Sequence, residues 1–162
     1  DLGAAPGSWT QVVRERLTKS GPLCGPLRGR IVAMDILPMD PVADVTFIQG
    51  DFHEEAVAHE LTQALGGEAV DVVLSDISPN LSGIAVSDAA RSLHLCELAL
   101  DFAQTHLKRD GVFLVKVFQG SGYSQYVEAL KKAFVSVASR KPAASRAESA
   151  ETYLLARGLK HR

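Results

Sequence analysis

Short apolar runs alternate along this chain with longer stretches of helical periodicity. Continuous runs rich in Val, Ile, Leu and Phe are typical of strands covered on both faces. Six such runs predict strands at 30–35, 45–49, 70–75, 112–118, 134–137 and 152–156. Apolar residues at helical spacing predict helices at 8–19, 54–65, 88–108 and 124–133. The alternation predicts an α/β sandwich with a mostly parallel sheet and helices on both faces.

The ends of the third predicted helix carry matching charges. Asp88 is suited to cap its start, and Lys108 with Arg109 suits the negative end of its dipole. Residues 20–29, SGPLCGPLRG, form the clearest loop.

The length of 162 residues predicts one domain over 1–162, large enough to fold without disulfides or metal. Cys24 and Cys96 are far apart, which gives no zinc spacing and suits a reducing compartment. No apolar run approaches the roughly 18 residues of a membrane span, and the N-terminus lacks the segments of a secretion signal. We therefore expect a cytoplasmic protein without metal or membrane.

The net charge of −2 hides an asymmetry between the two ends of the chain. Residues 1–110 carry 8 Lys and Arg against 16 Asp and Glu, a net charge of −8. Residues 111–162 carry 9 against 3, a net charge of +6. The basic end is either a footprint for a polyanion or an ordinary solvated tail.

Candidate residues follow the predicted strands, where α/β sheets bind ligands. The first is a small-residue loop, GAAPGSW at 3–9, which opens a helix and lets a ligand approach the backbone. Its spacing disfavours a dinucleotide site. No strand precedes the loop, so we expect an N-terminal segment to be missing from this sequence. Asp35 suits ribose hydroxyls or caps a helix, and Asp51 suits an adenine amino group or is a structural turn residue.

Three further residues are candidates for chemistry. Asp76 comes directly after an apolar strand and precedes a Pro-Asn turn. Lys116 lies inside FLVKVF, where a lysine is costly unless it is paired, partly neutral or turned outward at the strand end. Glu151 borders the last strand and is either functional or merely solvated.

Six motifs, in this order, resemble the FtsJ/RrmJ (RlmE) family of S-adenosylmethionine-dependent ribose 2′-O-methyltransferases. They are DLGAAPGSW, DILPMDP, FIQGDF, SDISPNLSG, LVKVFQG and KPAASRAESAETYLLA, and they span nearly the whole chain. The resemblance implies a Rossmann-like fold with S-adenosyl-L-methionine as the cofactor. In the family pattern, Gly3, Gly7 and Trp9 cradle its methionine part, Asp35 binds its ribose and Asp51 its adenine.

The resemblance also implies a catalytic tetrad of two lysines, an aspartate and a glutamate. Asp76 matches the aspartate beside the methyl donor, Lys116 the second lysine and Glu151 the glutamate. The first lysine belongs to an N-terminal helix that this sequence does not contain. In the tail, Glu148 and Ala150 depart from an arginine-rich bacterial pattern, so RNA contact there would rely on residues such as Arg140, Lys141 and Arg146.

The reaction so implied is 2′-O-methylation of a uridine ribose in 23S rRNA, within the large ribosomal subunit, by a monomer. Lys116 acts in it either as a neutral base or as a cation that stabilises the developing alkoxide. A small-molecule O-methyltransferase of the same fold and a non-catalytic RNA-binding assembly factor are the alternatives. The first explains neither Lys116 nor the basic end, and the second predicts no methyl transfer.

Overall fold

The computed structural model describes residues 1–18, 26–144 and 149–160. Cys24, Arg146 and Glu148 lie outside these ranges, as does most of the predicted loop at 20–29. Within them, no helix combines the length and the hydropathy that crossing a membrane requires. The chain divides into two compact units, Asp1–Glu68 and Ala69–Arg162, which we describe in turn. The expectation of one domain stays a prediction.

The first unit contains two helices and a two-stranded parallel sheet. Its elements are α1 (Ser8–Arg16), β1 (Ile31–Asp35), β2 (Val45–Gln49) and α2 (Glu55–Ala64). The register places Asp35 opposite Gln49, so that both strands end at one edge. There the Gly50 N–H donates to the Asp35 carbonyl at 2.9 Å. The turn that carries Asp51 therefore starts beside the end of β1.

The second unit contains a four-stranded sheet and two helices. Its elements are β3 (Val70–Ser75), α3 (Ala85–His106), β4 (Leu107–Phe118), α4 (Tyr123–Ala133), β5 (Phe134–Arg140) and β6 (Glu151–Leu159). The strand order is β3-β4-β6-β5. β3 and β4 are parallel, whereas β6 is antiparallel to both of its neighbours. Only residues 141–150 connect β5 to β6, and a parallel pair needs a crossover of about a dozen residues or more.

The pairing of the strands differs from the expected one. Of the pairings in the two sheets, β1–β2 and β3–β4 are parallel, and the two pairings of β6 are antiparallel. Within the described residues the two-stranded sheet is parallel, but the four-stranded sheet is mixed, so the pairings together are not mostly parallel. The α/β fold itself is confirmed.

The third helix and the fourth strand have other bounds than predicted. α3 begins at Ala85, three residues before the predicted cap Asp88. Lys108 and Arg109, predicted to close that helix, lie in β4, which starts at Leu107. These residues are extended because they pair with β3. Leu107 lies opposite Val70, and the Lys108 ammonium lies 2.7 Å from the Asp71 carboxylate.

The two faces of β4 differ in burial. Phe113, Val115 and Val117 are at most 2% exposed, whereas the side chains between them are only partly buried. Residues directly opposite each other in an antiparallel pair point to the same face, so β6 extends both faces. We call the partly buried face of β4 and β6 the lysine face. Its members are Val112, Leu114, Lys116, Phe118, Glu151, Tyr153, Leu155 and Arg157.

Candidate active site

The glycine loop of the first unit lies beside β1 and leads into α1. The N–H groups of Gly3 and Ala4 both donate to the Met34 carbonyl, at 2.9 and 3.0 Å. Gly7 is the N-cap of α1, at φ 114°, where a Cβ would lie 3.1 Å from the Met39 Sδ. A side chain at position 7 is thus disfavoured by both conformation and space. Gly7 has no side chain with which to cap α1, and the start of the helix has no side-chain cap hydrogen bond.

Asp35 at the end of β1 organises this loop. Its Oδ2 accepts from the Ala5 N–H at 2.9 Å, and its Oδ1 accepts from the Leu37 N–H at 2.9 Å. Residues 36–44 form no helix, so Asp35 does not cap one. Each oxygen of an ionised carboxylate accepts up to two hydrogen bonds, which leaves Asp35 acceptor capacity for a ligand. Trp9 lies half-buried in the first turn of α1.

Asp51 follows β2 in a turn closed by a histidine. Its Oδ1 accepts from the His53 N–H at 2.9 Å and lies 2.8 Å from the His53 Nδ1. The His53 backbone N–H, followed by its ring, lowers the pKa of Asp51 below its usual value. Sequence reasoning did not single out His53; the Asx turn itself, in which an aspartate accepts from the backbone N–H two residues on, was the available signal.

Lys116 is the central residue of the lysine face. Its side chain is 10% exposed, and its Nζ lies 3.0 Å from Asp76 Oδ1. The same Nζ donates to the Asp76 carbonyl at 3.4 Å and lies 5.8 Å from the centre of the Phe118 ring. The interpretation of Lys116 as an outward-facing surface lysine is therefore wrong. A lysine this buried needs a polar partner, and the Asp76 carboxylate supplies it.

Asp76 follows β3, and its side chain is 31% exposed. Its Oδ1 is buried and, among the described residues, accepts no well-aligned hydrogen bond despite the nearby ammonium. An acceptor left in that state costs free energy unless another donor reaches it. The Asp76 carboxylate is thus both the counter-ion of Lys116 and an acceptor with capacity for a further group.

Tyr153 and Glu151 of β6 lie across the lysine face from β4. Tyr153 is directly opposite Lys116, and Glu151 is directly opposite Phe118. Burial, and then the charges of Asp76 and Glu151, raise the pKa of the Tyr153 hydroxyl, so both carboxylates are near it. Sequence reasoning missed Tyr153. Its spacing of two from Glu151 on a strand would have placed it on the same face.

The loop after Asp76 is tied down by Asp88 in the first turn of α3. Asp88 Oδ1 accepts from the Ser82 N–H at 2.9 Å and from the Ser82 hydroxyl at 2.7 Å. Asp88 Oδ2 accepts from the Gly83 N–H at 3.1 Å, and Arg91 donates to Oδ1 at 2.6 Å. These bonds, from Ser82 above all, lower the pKa of Asp88 to about 2. Asp88 therefore anchors the loop preceding α3 rather than starting the helix.

This anchor makes a prediction for acid stability. We expect Asp88→Asn to lower the thermal unfolding midpoint by an amount that is constant above pH 4. The difference should shrink as the pH falls from 3.8, the ordinary pKa, towards about 2, where the native carboxyl takes up its proton. Thermal unfolding of both proteins across this range tests the prediction. A difference that persists unchanged at pH 2 would show that the charge of Asp88 is not what holds the loop.

No group of three His, Cys, Asp or Glu side chains within the described ranges is placed to hold a metal ion. Cys96 is buried, and its thiol contacts the Lys116 carbonyl at 3.3 Å. Burial raises the pKa of Cys96 to about 12, so this thiol is not a nucleophile at neutral pH.

Solved structures of methyltransferases share this fold. The human methyltransferase-like protein 13, solved in complex with SAH, aligns with 96% of this chain and 69% of its own at a TM-score of 0.62 and 15% identity. A crystal structure described as a ribosomal RNA methyltransferase from Plasmodium falciparum aligns with 100% of this chain and 86% of its own, at a TM-score of 0.81 and 30% identity. The fold and the glycine loop define an α/β methyltransferase.

Sequence comparison gives the family. The FtsJ-like methyltransferase model matches residues 1–159, and the chain belongs to this family. Two bacterial relatives, from Burkholderia mallei strain SAVP1 and Burkholderia pseudomallei strain K96243, are each 59% identical over 164 residues. The alignment covers 99% of this chain and 74% of each relative, and both are named ribosomal RNA large subunit methyltransferase E. The family expected from the six motifs is confirmed.

Proposed function

We propose that this protein transfers a methyl group from S-adenosyl-L-methionine to the 2′-hydroxyl of a uridine ribose in 23S rRNA. The observation that carries the proposal is the buried Lys116–Asp76 ion pair on the lysine face, with Glu151 and Tyr153 beside it. The names of the relatives support the choice of large-subunit rRNA as substrate. The proposal makes the protein a cytoplasmic monomer that acts on the large ribosomal subunit.

The first unit fits the cofactor. The N-terminus of α1, whose N-cap Gly7 has no side chain, is the positive end of the helix dipole and favours a carboxylate such as that of the methionine part. Gly3 and Trp9 flank this position in the chain. Asp35 has acceptor capacity for ribose hydroxyls, and Asp51 has it for the adenine amino group. When bound, S-adenosylmethionine supplies an electrophilic methyl group on a sulfonium.

The second unit acts on the acceptor ribose. The 2′-hydroxyl is a weak nucleophile: its oxygen would bond to the methyl carbon as the methyl–sulfur bond breaks with its electron pair left on sulfur, and its proton would pass to water. Negative charge develops on the oxygen as far as loss of the proton precedes bonding to the carbon. We assign Lys116 the role of a cation that orients the hydroxyl and stabilises this charge. Asp76, paired with Lys116 at 3.0 Å, and Glu151 on the same face hold the ammonium in place. Holding the hydroxyl in a near-attack geometry supplies much of the acceleration.

The cofactor assignment of Asp51 makes a separate prediction. We expect Asp51→Ala to weaken S-adenosylmethionine binding by about 10- to 100-fold, because a hydrogen bond to an ionised acceptor contributes about 1.5–3 kcal/mol. Isothermal titration calorimetry measures the effect, with Asp71→Ala, an exposed aspartate of a surface ion pair, as the control. A dissociation constant that does not differ from the control would remove Asp51 from the cofactor site.

The function is tested by mapping 2′-O-methyl groups in the rRNA of cells with and without the gene. We expect one site of 23S rRNA to lose its methyl group on deletion, and the purified protein to restore it on large subunits from the deletion strain. Methyl transfer to small hydroxylated acceptors but not to RNA would instead identify a small-molecule methyltransferase. RNA binding without any methyl transfer would identify an assembly factor.

A further inference from the structure

The lysine face continues onto β5, where it ends in an arginine. Tyr153 lies opposite Lys116 on one side and opposite Arg140 on the other. Directly opposite residues of antiparallel strands share a face, so the three side chains form one row across three strands. With strands about 4.8 Å apart, the Cα atoms of Lys116 and Arg140 are about 10 Å apart.

The members of this row differ in their surroundings. Lys116 is nearly buried and paired with Asp76, whereas Arg140 is exposed. The Arg140 Nη1 donates to the Ser139 carbonyl at 3.1 Å, which uses one of five guanidinium donors. No carboxylate of the described residues forms an ion pair with it. Tyr153 between them is half-buried, and its raised pKa keeps it a neutral phenol.

We propose that Arg140 binds a phosphate flanking the ribose that is methylated, with the target nucleotide lying over Tyr153. The proposal rests on the proposed function, because it takes Lys116 as the group that meets the 2′-oxygen. A ribose in RNA carries its flanking phosphates on the same sugar, so a cation that binds one of them must lie within side-chain reach of the group that meets the hydroxyl. Two long side chains whose Cα atoms are about 10 Å apart satisfy this requirement.

Arginine suits this role better than lysine. Its planar fork matches two phosphate oxygens at once, and it stays charged at every working pH. Arg140 would thus fix the register of the RNA backbone on the lysine face, while Lys116 acts on the hydroxyl. Arg140 would be a substrate-positioning residue, and its replacement would raise the KM for RNA.

Arg157 is a matched control. It lies on the same face of β6, opposite Val112, and it too is exposed. It lies four positions along β6 from Tyr153, which places it about 13 Å along the strand from the row. A general attraction of RNA to the basic face would involve both arginines, whereas a phosphate site beside the reacting ribose involves Arg140 alone.

The test compares the wild-type protein, Arg140→Gln and Arg157→Gln on large ribosomal subunits from cells that lack the gene. We expect Arg140→Gln to raise the KM for subunits about ten-fold, with a smaller change in kcat and an unchanged KM for S-adenosylmethionine. The salt dependence of RNA binding should also fall by about one counterion. Arg157→Gln should match the wild type, and Arg140→Lys should recover part of the loss.

Equal effects of the two glutamine variants, or an Arg140→Gln variant that matches the wild type, would overturn the proposal. So would a loss confined to kcat. These outcomes are distinct from failure of the proposed function, in which the wild-type protein itself transfers no methyl group to the subunits. Circular dichroism of each variant confirms that a raised KM does not reflect unfolding.

Discussion

Replacing Lys116 by methionine abolishes methyl transfer to RNA while S-adenosylmethionine still binds. Methionine has a similar length and fills the buried position, so β4 keeps its pairing with β3 and β6. What is lost is the charge that meets the developing oxyanion, and removal of such a group costs about 10²- to 10⁴-fold in turnover. Single-turnover kinetics measure the loss, and calorimetry should give a nearly unchanged dissociation constant for the cofactor.

Lys116→Arg separates the two roles open to this residue. A guanidinium keeps the positive charge but cannot deprotonate, so it can stabilise an oxyanion and cannot act as a base. If Lys116 acts as a cation, the arginine variant should exceed the methionine variant by at least about ten-fold. An arginine variant as inactive as the methionine variant would favour the base. Turnover of Lys116→Met within a few-fold of the wild type would contradict any catalytic role.

The sequence predicted the fold well where local pattern and long-range packing agree. The apolar runs at 45–49 and 70–75 became strands with those bounds, because each is short, β-branched and flanked by turn residues. The mixed pairing of the strands was not predictable from periodicity. Buried hydrophobic runs look alike in parallel and antiparallel sheets. The one local indication of an antiparallel pair is the short connection between β5 and β6.

Prediction of the site had a similar limit. Lys116 was found because a charge inside an apolar strand needs a partner, and the partner is Asp76, forty residues earlier in the chain. Nothing local to either residue predicts that pair. Tyr153 was missed because a tyrosine in a strand is ordinary by composition, and only the register places it opposite Lys116.

Replacing Asp76 by asparagine should lower turnover about 10²- to 10³-fold, in the range measured for loss of one preorganised electrostatic group. Asparagine keeps the shape of the side chain but removes the counter-ion of an ammonium that is only 10% exposed. Since Asp76 is itself 31% exposed, we expect a loss of roughly 1–2 kcal/mol in the free energy of unfolding, less than for a fully buried pair. Urea unfolding measures this cost apart from the kinetics.

The double variant Asp76→Asn with Lys116→Met shows whether the two residues act as a unit. If Asp76 works by holding Lys116, its replacement has nothing further to remove once the lysine is gone, and the double variant should be as slow as Lys116→Met alone. The unfolding cost should also disappear, because a neutral methionine leaves no buried charge unpaired. Full additivity in turnover would contradict the unit and give Asp76 a separate effect on the reaction. Asp76 Oδ1 has acceptor capacity beyond the ion pair, so Asp76 could also act on another group. The 3.0 Å distance alone therefore does not show how much of its effect passes through Lys116, and the double variant measures that share.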